Sequence, residues 1–249
     1  ITATGTNNVD LAYAEKRGIA VTNVAGYSTD VVAQHTFALA LYLLEKLRYF
    51  DDYVKSGAYS RSRLFCHYGE KFRELAGKTW GIIGLGAIGS RVAQIAEAFG
   101  CRVIYYSTTG KHTSSRYERV DWETLLRTSD VVSVHAPLTP QTEGIMNYEA
   151  FRRMKPSALF INVGRGPIVK EEDLARALKE ELIAGAGLDV MTKEPLPADS
   201  PLLDIQDSRK LLITPHIAWA SVEARRRLIQ ELALNLEAWM RGEKRNRIV

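Results

Sequence analysis

His216 stands in Thr214-Pro215-His216-Ile217-Ala218-Trp219, and two other segments supply what a histidine needs to move a proton at a polar bond. Glu194 lies in Gly187-Leu188-Asp189-Val190-Met191-Thr192-Lys193-Glu194-Pro195, and Arg165 in Asn162-Val163-Gly164-Arg165-Gly166-Pro167-Ile168. Imidazole exchanges protons near neutrality, and a neighbouring carboxylate favours the imidazolium and orients the ring. A guanidinium forks onto a carboxylate or polarises a carbonyl. Together the three suit general acid/base work on a small anionic substrate. Arg165 between two glycines has no packing role to explain it, whereas Glu194 before Pro195 also suits an exposed turn. His35, His67, His112 and His135 show that a histidine alone carries little.

A fourth segment, Gly84-Leu85-Gly86-Ala87-Ile88-Gly89, follows the apolar run Trp80-Gly81-Ile82-Ile83 and opens a helical pattern. That context is the one a dinucleotide-phosphate loop requires: a tight turn, close backbone approach to a pyrophosphate, and helix-to-strand packing. The helix N-terminus adds free N–H groups for the anion. With a nicotinamide site added, the proton, carboxylate and guanidinium set suits hydride transfer to a 2-oxo acid. At the end of the next strand, where an acid would hold the ribose hydroxyls of NAD, the chain has Ser107. No acid lies between Glu97 and Glu118, and Thr108, Thr109, Lys111 and His112 follow the serine. Ser107 either bonds a ribose hydroxyl or, with Lys111, accepts a 2′-phosphate; NAD and NADP both stay open.

The elements that must position these residues are read from periodicity. Candidate strands are Thr79–Ile83, Arg102–Tyr106, Val131–His135, Ala158–Val163, Ala184–Asp189 and Leu211–Thr214. Helical stretches lie between them at Ile88–Phe99, Trp122–Arg127, Tyr148–Met154 and Glu171–Lys179. Strands spaced by helices imply right-handed crossovers and a doubly wound parallel sheet of α/β, Rossmann type. Arg165, Glu194 and His216 then each follow a strand, at the carboxyl edge where such sheets bind ligands. Ahead of this core, Asn8 to Asp10 cap a short helix through Lys16, Ile19–Thr22 read as a short strand, and Asp30 opens a long helix. Residues 55–74 read as a surface excursion, and a last helix from Ser221 to Met240 carries Leu228, Leu232, Leu236 and Trp239 on one face. Ile1-Thr2-Ala3-Thr4-Gly5 reads as a strand end entering a glycine turn, so the chain reads as beginning inside a domain.

Bulk properties narrow the class. The 249 residues are 46% hydrophobic, enough for an ordinary α/β core, and Lys+Arg 33 against Asp+Glu 29 leaves a net charge of +4. Those charges are dispersed, and the Arg225-Arg226-Arg227 run suits a solvated helix face, so no nucleic-acid partner is expected. No apolar run approaches about 18 residues, so no membrane span is expected. Cys66 and Cys101 make no disulfide framework, which fits a reducing, cytoplasmic setting. No His/Cys/Asp cluster has ligand spacing, so no metal is expected. Ser/His/Asp chemistry lacks its GxSxG elbow.

With these motifs in hand the chain resembles the D-isomer-specific 2-hydroxyacid dehydrogenase family, in particular its glycerate dehydrogenase/hydroxypyruvate reductase branch. The likeness runs through essentially the whole chain and includes residues 3–10, Val32-Ala33-Gln34, His135-Ala136-Pro137-Leu138-Thr139 and the segments quoted above. It implies that Arg165, Glu194 and His216 are catalytic, and that Thr4 and Gly5 offer backbone N–H groups to the substrate carboxylate. Ala87, Ile88, Ser107, Pro137, Thr142, Val163, Asp189 and Ala218 would line the cofactor with Gly84, Gly86 and Gly89. Trp219 is either a pocket wall or helix-start packing. The resemblance implies a homodimer through the nucleotide-binding domain, and residues Phe50, Tyr53, Tyr59, Leu64 and Phe65 offer the surface for it. Family members carry a further segment ahead of the position of Ile1. The domains are therefore expected as 1–27, part of a flavodoxin-like substrate domain; 28–218, the nucleotide-binding domain; and 219–249, a helix returning to the first. A chain with only remnants of that substrate domain is expected to hold cofactor yet reduce substrates poorly. The second reading is a dinucleotide-sensing regulator or corepressor of the same fold; the intact Arg/Glu/His set favours the enzyme, and Glu194 speaks against formate dehydrogenase relatives, which carry glutamine there.

Overall fold

The computed structural model describes residues 1–6, 8–110 and 113–249. Among the described residues seven short runs become strands: β1 (Thr79–Ile83), β2 (Arg102–Tyr106), β3 (Glu118–Arg119), β4 (Val131–Val134), β5 (Leu159–Asn162), β6 (Gly185–Leu188) and β7 (Leu211–Ile213). They form one parallel sheet in the order β3-β2-β1-β4-β5-β6-β7. The order reverses between β1 and β4, so the loops leaving those two strands part and open a crevice. Every residue of β4, β5 and β6 is buried, as a parallel sheet covered on both faces requires.

Eight α-helices accompany the sheet among the described residues: α1 (Leu11–Lys16), α2 (Thr29–Leu44), α3 (Leu47–Lys55), α4 (Ala87–Ala98), α5 (Trp122–Thr128), α6 (Tyr148–Arg153), α7 (Glu171–Lys179) and α8 (Val222–Met240). Local chemistry sets several starts. Asp121, Asn147 and Ser221 accept the N–H of Thr124, Ala150 and Ala224 and so cap α5, α6 and α8. The core beneath is dominated by fully buried Trp80, Phe151, Phe160 and Ile83. Gly187 in β6 leaves room for α2, because a Cβ there would lie 3.0 Å from Leu39 Cβ.

The chain divides into two units, Ile1–Val32 with Ile217–Val249, and Ala33–His216. In the first unit Val24, Tyr27, Ala224 and Leu228 form a small core with Val31 and Trp219 against it. Residues 19–22 make an isolated antiparallel bridge, Thr22 to Arg247, rather than a strand, since their partner is the short C-terminal tail.

Other elements depart from the plain periodicity reading. The long helix from Asp30 ends at Leu44, because Lys46 takes a left-handed conformation (φ 54°) that separates α2 from α3. β3 was not foreseen, being two exposed charged residues with no apolar signal. On α8 the buried stripe is Ala224, Leu228, Asn235 and Ala238, whereas Leu236 and Trp239 are exposed. Asn235 earns that place through hydrogen bonds: it donates to Asn23 O (2.9 Å) and accepts from Arg245 and Asn246. Asn7, Lys111 and His112 fall outside the described residues.

Candidate active site

The nucleotide loop separates the jobs of its three glycines. Gly84 follows β1 with φ 91°, and a Cβ on it would approach Ala136 N and Cα to 2.8 Å. Gly89 lies so close to the strand end that a Cβ would meet Gly84 O at 2.2 Å. Around Gly86 a Cβ would meet nothing within 4 Å, so the space above this backbone is open. Gly86 is also the N-cap of α4 and no side chain caps that helix, which leaves first-turn N–H groups facing the space. Exposed Ala87 and half-buried Ile88 begin α4 there. A tight turn, an uncapped helix start and a cradle that a Cβ would fill fit a dinucleotide pyrophosphate.

The remaining expected cofactor residues in this unit lie on the same sheet edge. Ser107 directly follows β2, is buried, and its Oγ accepts the Gly110 N–H at 3.1 Å. Lys111 and His112, named with it, lie outside the described residues. Pro137 and Thr142 belong to the loop after β4, where Thr142 Oγ1 donates to Pro137 O (2.7 Å) and accepts the Thr139 N–H (2.8 Å). Val163 follows β5, and Asp189 follows β6 with its side chain buried. Thr214 Oγ1 donates to Asp189 Oδ1 at 2.6 Å, and His35 Nε2 lies 3.0 Å from the same hydroxyl. Burial holds the His35 imidazole below its usual range against the opposing pull of Asp189. His35 and Thr214 carry no sequence signal for this role, since 179 positions separate them.

Arg165, Glu194 and His216 follow β5, β6 and β7, three adjacent strands. Asn162 shapes the arginine turn: its Oδ1 accepts the Gly164 N–H and its Nδ2 donates to Arg165 O, both at 3.0 Å. The Glu194 turn lies directly on the arginine turn, because a Cβ at Gly166 would reach Met191 C at 1.9 Å. His216 has a left-handed backbone (φ 54°), held by its N–H donating to Asp189 O at 2.9 Å. Its Nδ1 lies 2.6 Å from Glu194 Oε2, while Glu194 Oε1 accepts the Met191 N–H at 2.9 Å. With Nδ1–H donated to the carboxylate, Nε2 is the atom that gives or takes a proton. The pair is half-exposed, open to a substrate.

Thr4, Gly5, Ala218 and Trp219 belong to the other unit. Thr4 Oγ1 donates to Val24 O and Thr4 O accepts from Asn23 Nδ2. Ala218 is buried, and Trp219 packs edge-on against Tyr27 at 6.5 Å. His135 turns its ring inward: Nε2 lies 3.0 Å from Ser133 Oγ, which accepts the Trp80 indole N–H at 2.8 Å. Among the described residues no group of three His, Cys, Asp or Glu is arranged to hold a metal. No helix there is long and apolar enough to cross a membrane.

Comparison with known proteins assigns the family. Residues 37–218 match the family model described as D-isomer specific 2-hydroxyacid dehydrogenase, NAD binding domain. A glycerate dehydrogenase from Methylorubrum extorquens is 39% identical over 246 residues, which cover 99% of this chain and 76% of that protein. The crystal structure of a D-lactate dehydrogenase from Aquifex aeolicus, complexed with NAD and lactic acid, superposes with a TM-score of 0.88 at 32% identity, covering 97% of this chain and 75% of that one. An acyclic imino acid reductase in complex with NADPH and D-Arg gives 0.89 at 33% identity, covering 100% and 77%. The family model spans most of the chain and the similarity to the glycerate dehydrogenase runs through nearly all of it, so the chain belongs to the D-isomer-specific 2-hydroxyacid dehydrogenase family.

Proposed function

We propose that this chain interconverts a short 2-oxo acid and its (R)-2-hydroxy acid, with hydroxypyruvate or glyoxylate as the oxo form. The observation that carries this reading is the 2.6 Å contact between His216 Nδ1 and Glu194 Oε2, beside the turn that bears Arg165. Relatives named glycerate dehydrogenase, hydroxypyruvate reductase and glyoxylate reductase support the substrate class.

When bound, a nicotinamide dinucleotide, NAD or NADP, supplies the hydride for reduction and takes it back for oxidation. The residues that would hold it are Gly84, Gly86, Ala87, Ile88 and Gly89 at the pyrophosphate, with Ser107, Pro137, Thr142, Val163, Asp189 and Ala218 along the rest. Arg165 would fix the substrate carboxylate and polarise the adjacent carbonyl. His216 Nε2–H would donate its proton to the carbonyl oxygen as the alkoxide forms, and Glu194 would hold the resulting charge balance by keeping Nδ1–H bonded. Thr4 and Gly5 would add backbone N–H groups for the carboxylate, and Trp219 would bound the substrate side chain.

We also place the protein in a reducing cytoplasm as a homodimer. Its two cysteines are free thiols, and burial, then the Asp130 charge, pushes the Cys101 thiol up to about 11, which keeps it unreactive. The dimer reading rests on the apolar surface of residues 64–72. Consumption of NADH or NADPH with hydroxypyruvate and glyoxylate tests the activity. Tight dinucleotide binding with no turnover on any 2-oxo acid would favour a sensor instead.

A further inference from the structure

Glu171 opens α7, yet its carboxylate leaves that helix. Its Oε1 accepts the Thr192 N–H at 2.5 Å, across 21 positions of chain. Thr192 lies in the turn that carries Glu194, one residue after Met191. Met191 N–H in turn donates to Glu194 Oε1, which leaves Oε2 on His216 Nδ1. The other side of the Met191–Thr192 peptide rests on Gly166, where a Cβ would stand 1.9 Å from Met191 C and 2.4 Å from Thr192 N. One peptide is thus gripped between the arginine turn and the Glu171 carboxylate, and its neighbouring N–H aims Glu194.

The other acids of this helix start do different things. Asp173 Oδ2 accepts the Tyr148 N–H, and no side chain caps α7 at Lys170. Glu143, Lys170, Glu172, Lys193 and Asp199 line the groove beside Glu171, yet its carboxylate bonds the Thr192 N–H. A carboxylate accepting a backbone N–H makes a charge-assisted bond, roughly twice as strong as a neutral one.

We propose that Glu171 is a positioning residue for proton transfer: it fixes the Met191–Thr192 peptide, and through the Met191 N–H it keeps the Glu194 carboxylate on His216. The assignment rests on the dehydrogenase reading above. Proton transfer needs its donor placed within tenths of an ångström, and a misplacement of about 1 Å costs up to about 100-fold. Loss of the grip therefore acts on kcat rather than on cofactor binding.

The test uses the full chain and steady-state reduction of hydroxypyruvate. Glu171→Ala lowers kcat on the order of tenfold while KM for the reduced coenzyme stays at the wild-type value. Glu171→Gln restores kcat, because its amide oxygen still accepts the Thr192 N–H. In a Glu194→Gln background the Glu171→Ala change costs little more, since both act through one contact. Unchanged kcat in Glu171→Ala overturns the assignment, as does a loss that is fully additive with Glu194→Gln. A fall in thermal stability with kcat intact also overturns it, by making the contact merely structural. His216→Ala separates the two levels of the argument. If that variant still turns over, the dehydrogenase mechanism itself is wrong; if it is dead and Glu171→Ala is normal, only the positioning role fails.

Discussion

His216 holds a backbone conformation that costs a residue other than glycine of order 1–3 kcal/mol. The expenditure aims the imidazole: the bond from its N–H to Asp189 O sets the turn, and Glu194 then takes Nδ1. His216→Ala and Arg165→Ala are accordingly expected to lose turnover on the order of 10²–10⁴-fold while still binding the reduced coenzyme, read by fluorescence titration beside steady-state rates. A near-normal kcat in His216→Ala removes the assigned proton donor. Ser107 decides a different question. Its Oγ already accepts the Gly110 N–H, so its own O–H is left to donate, and Arg119 reaches Gly110 O at 3.3 Å. Donors and a cation suit a 2′-phosphate better than they suit a ribose diol, which a carboxylate would bind. Such an exposed charge contributes only about 0–1 kcal/mol, so the wild type should use both coenzymes with a modest tilt toward NADPH. Ser107→Asp should swing the ratio of kcat/KM values toward NADH. A strong NADH preference in the wild type would mean that Ser107 already serves the ribose hydroxyls.

At the scale of elements, glycine type was legible in the sequence and glycine function was partly so. The strand–loop–helix context around Gly84, Gly86 and Gly89 announces a phosphate loop, because each spacing answers a geometric need. Gly166 announces nothing, since its partner Met191 is 25 residues away in sequence and touches it only in the fold. The same contrast runs through the elements. β4 and β5 are apolar runs bounded by turns, so they were foreseen within a residue or two; β3 has no apolar residue to betray it. On α8 the apolar face and the buried stripe differ, because an asparagine, not a leucine, satisfies the backbone and side chains packed against it. Two substitutions separate packing from binding. Gly166→Ala must displace the Met191 peptide, so it should lower both kcat and the denaturant midpoint, the latter by the roughly 1–3 kcal/mol of an overpacked core. Gly86→Ala meets no protein atom, so it should keep its stability and raise KM for the coenzyme. Equal stability losses in the two variants would refute that division.

At the scale of the whole molecule, acid sensitivity and assembly both follow from what is covered and what is not. Burial pushes the His135 imidazole down from 6.5 to about 3. Between those values the unfolded chain binds a proton that the native chain refuses, so stability is full above 6.5 and drains away as pH falls toward 3. At pH 5 that is 1.5 units of 1.36 kcal/mol, or about 2 kcal/mol, which His135→Asn should not lose; urea unfolding of both proteins at neutral pH and at pH 5 gives the comparison, and equal losses would discount the histidine. The second consequence concerns the segment after α3. Tyr53 stacks on His67 with centroids 3.6 Å apart, and Phe50 meets Phe72 edge-on, so part of the aromatic set turns inward. Phe65 remains 90% exposed, and Leu64, Tyr68 and Phe72 are exposed with it. Burying apolar surface contributes about 25 cal/mol per Å², so covering side chains left in water is favourable, and a second copy supplies the same chemistry. We expect a dimer by light scattering at micromolar concentration, and a monomer with native circular dichroism when Phe65→Asp and Tyr68→Asp are combined. A wild type that is monomeric under those conditions, or a double variant that still dimerises, would remove this segment from the interface.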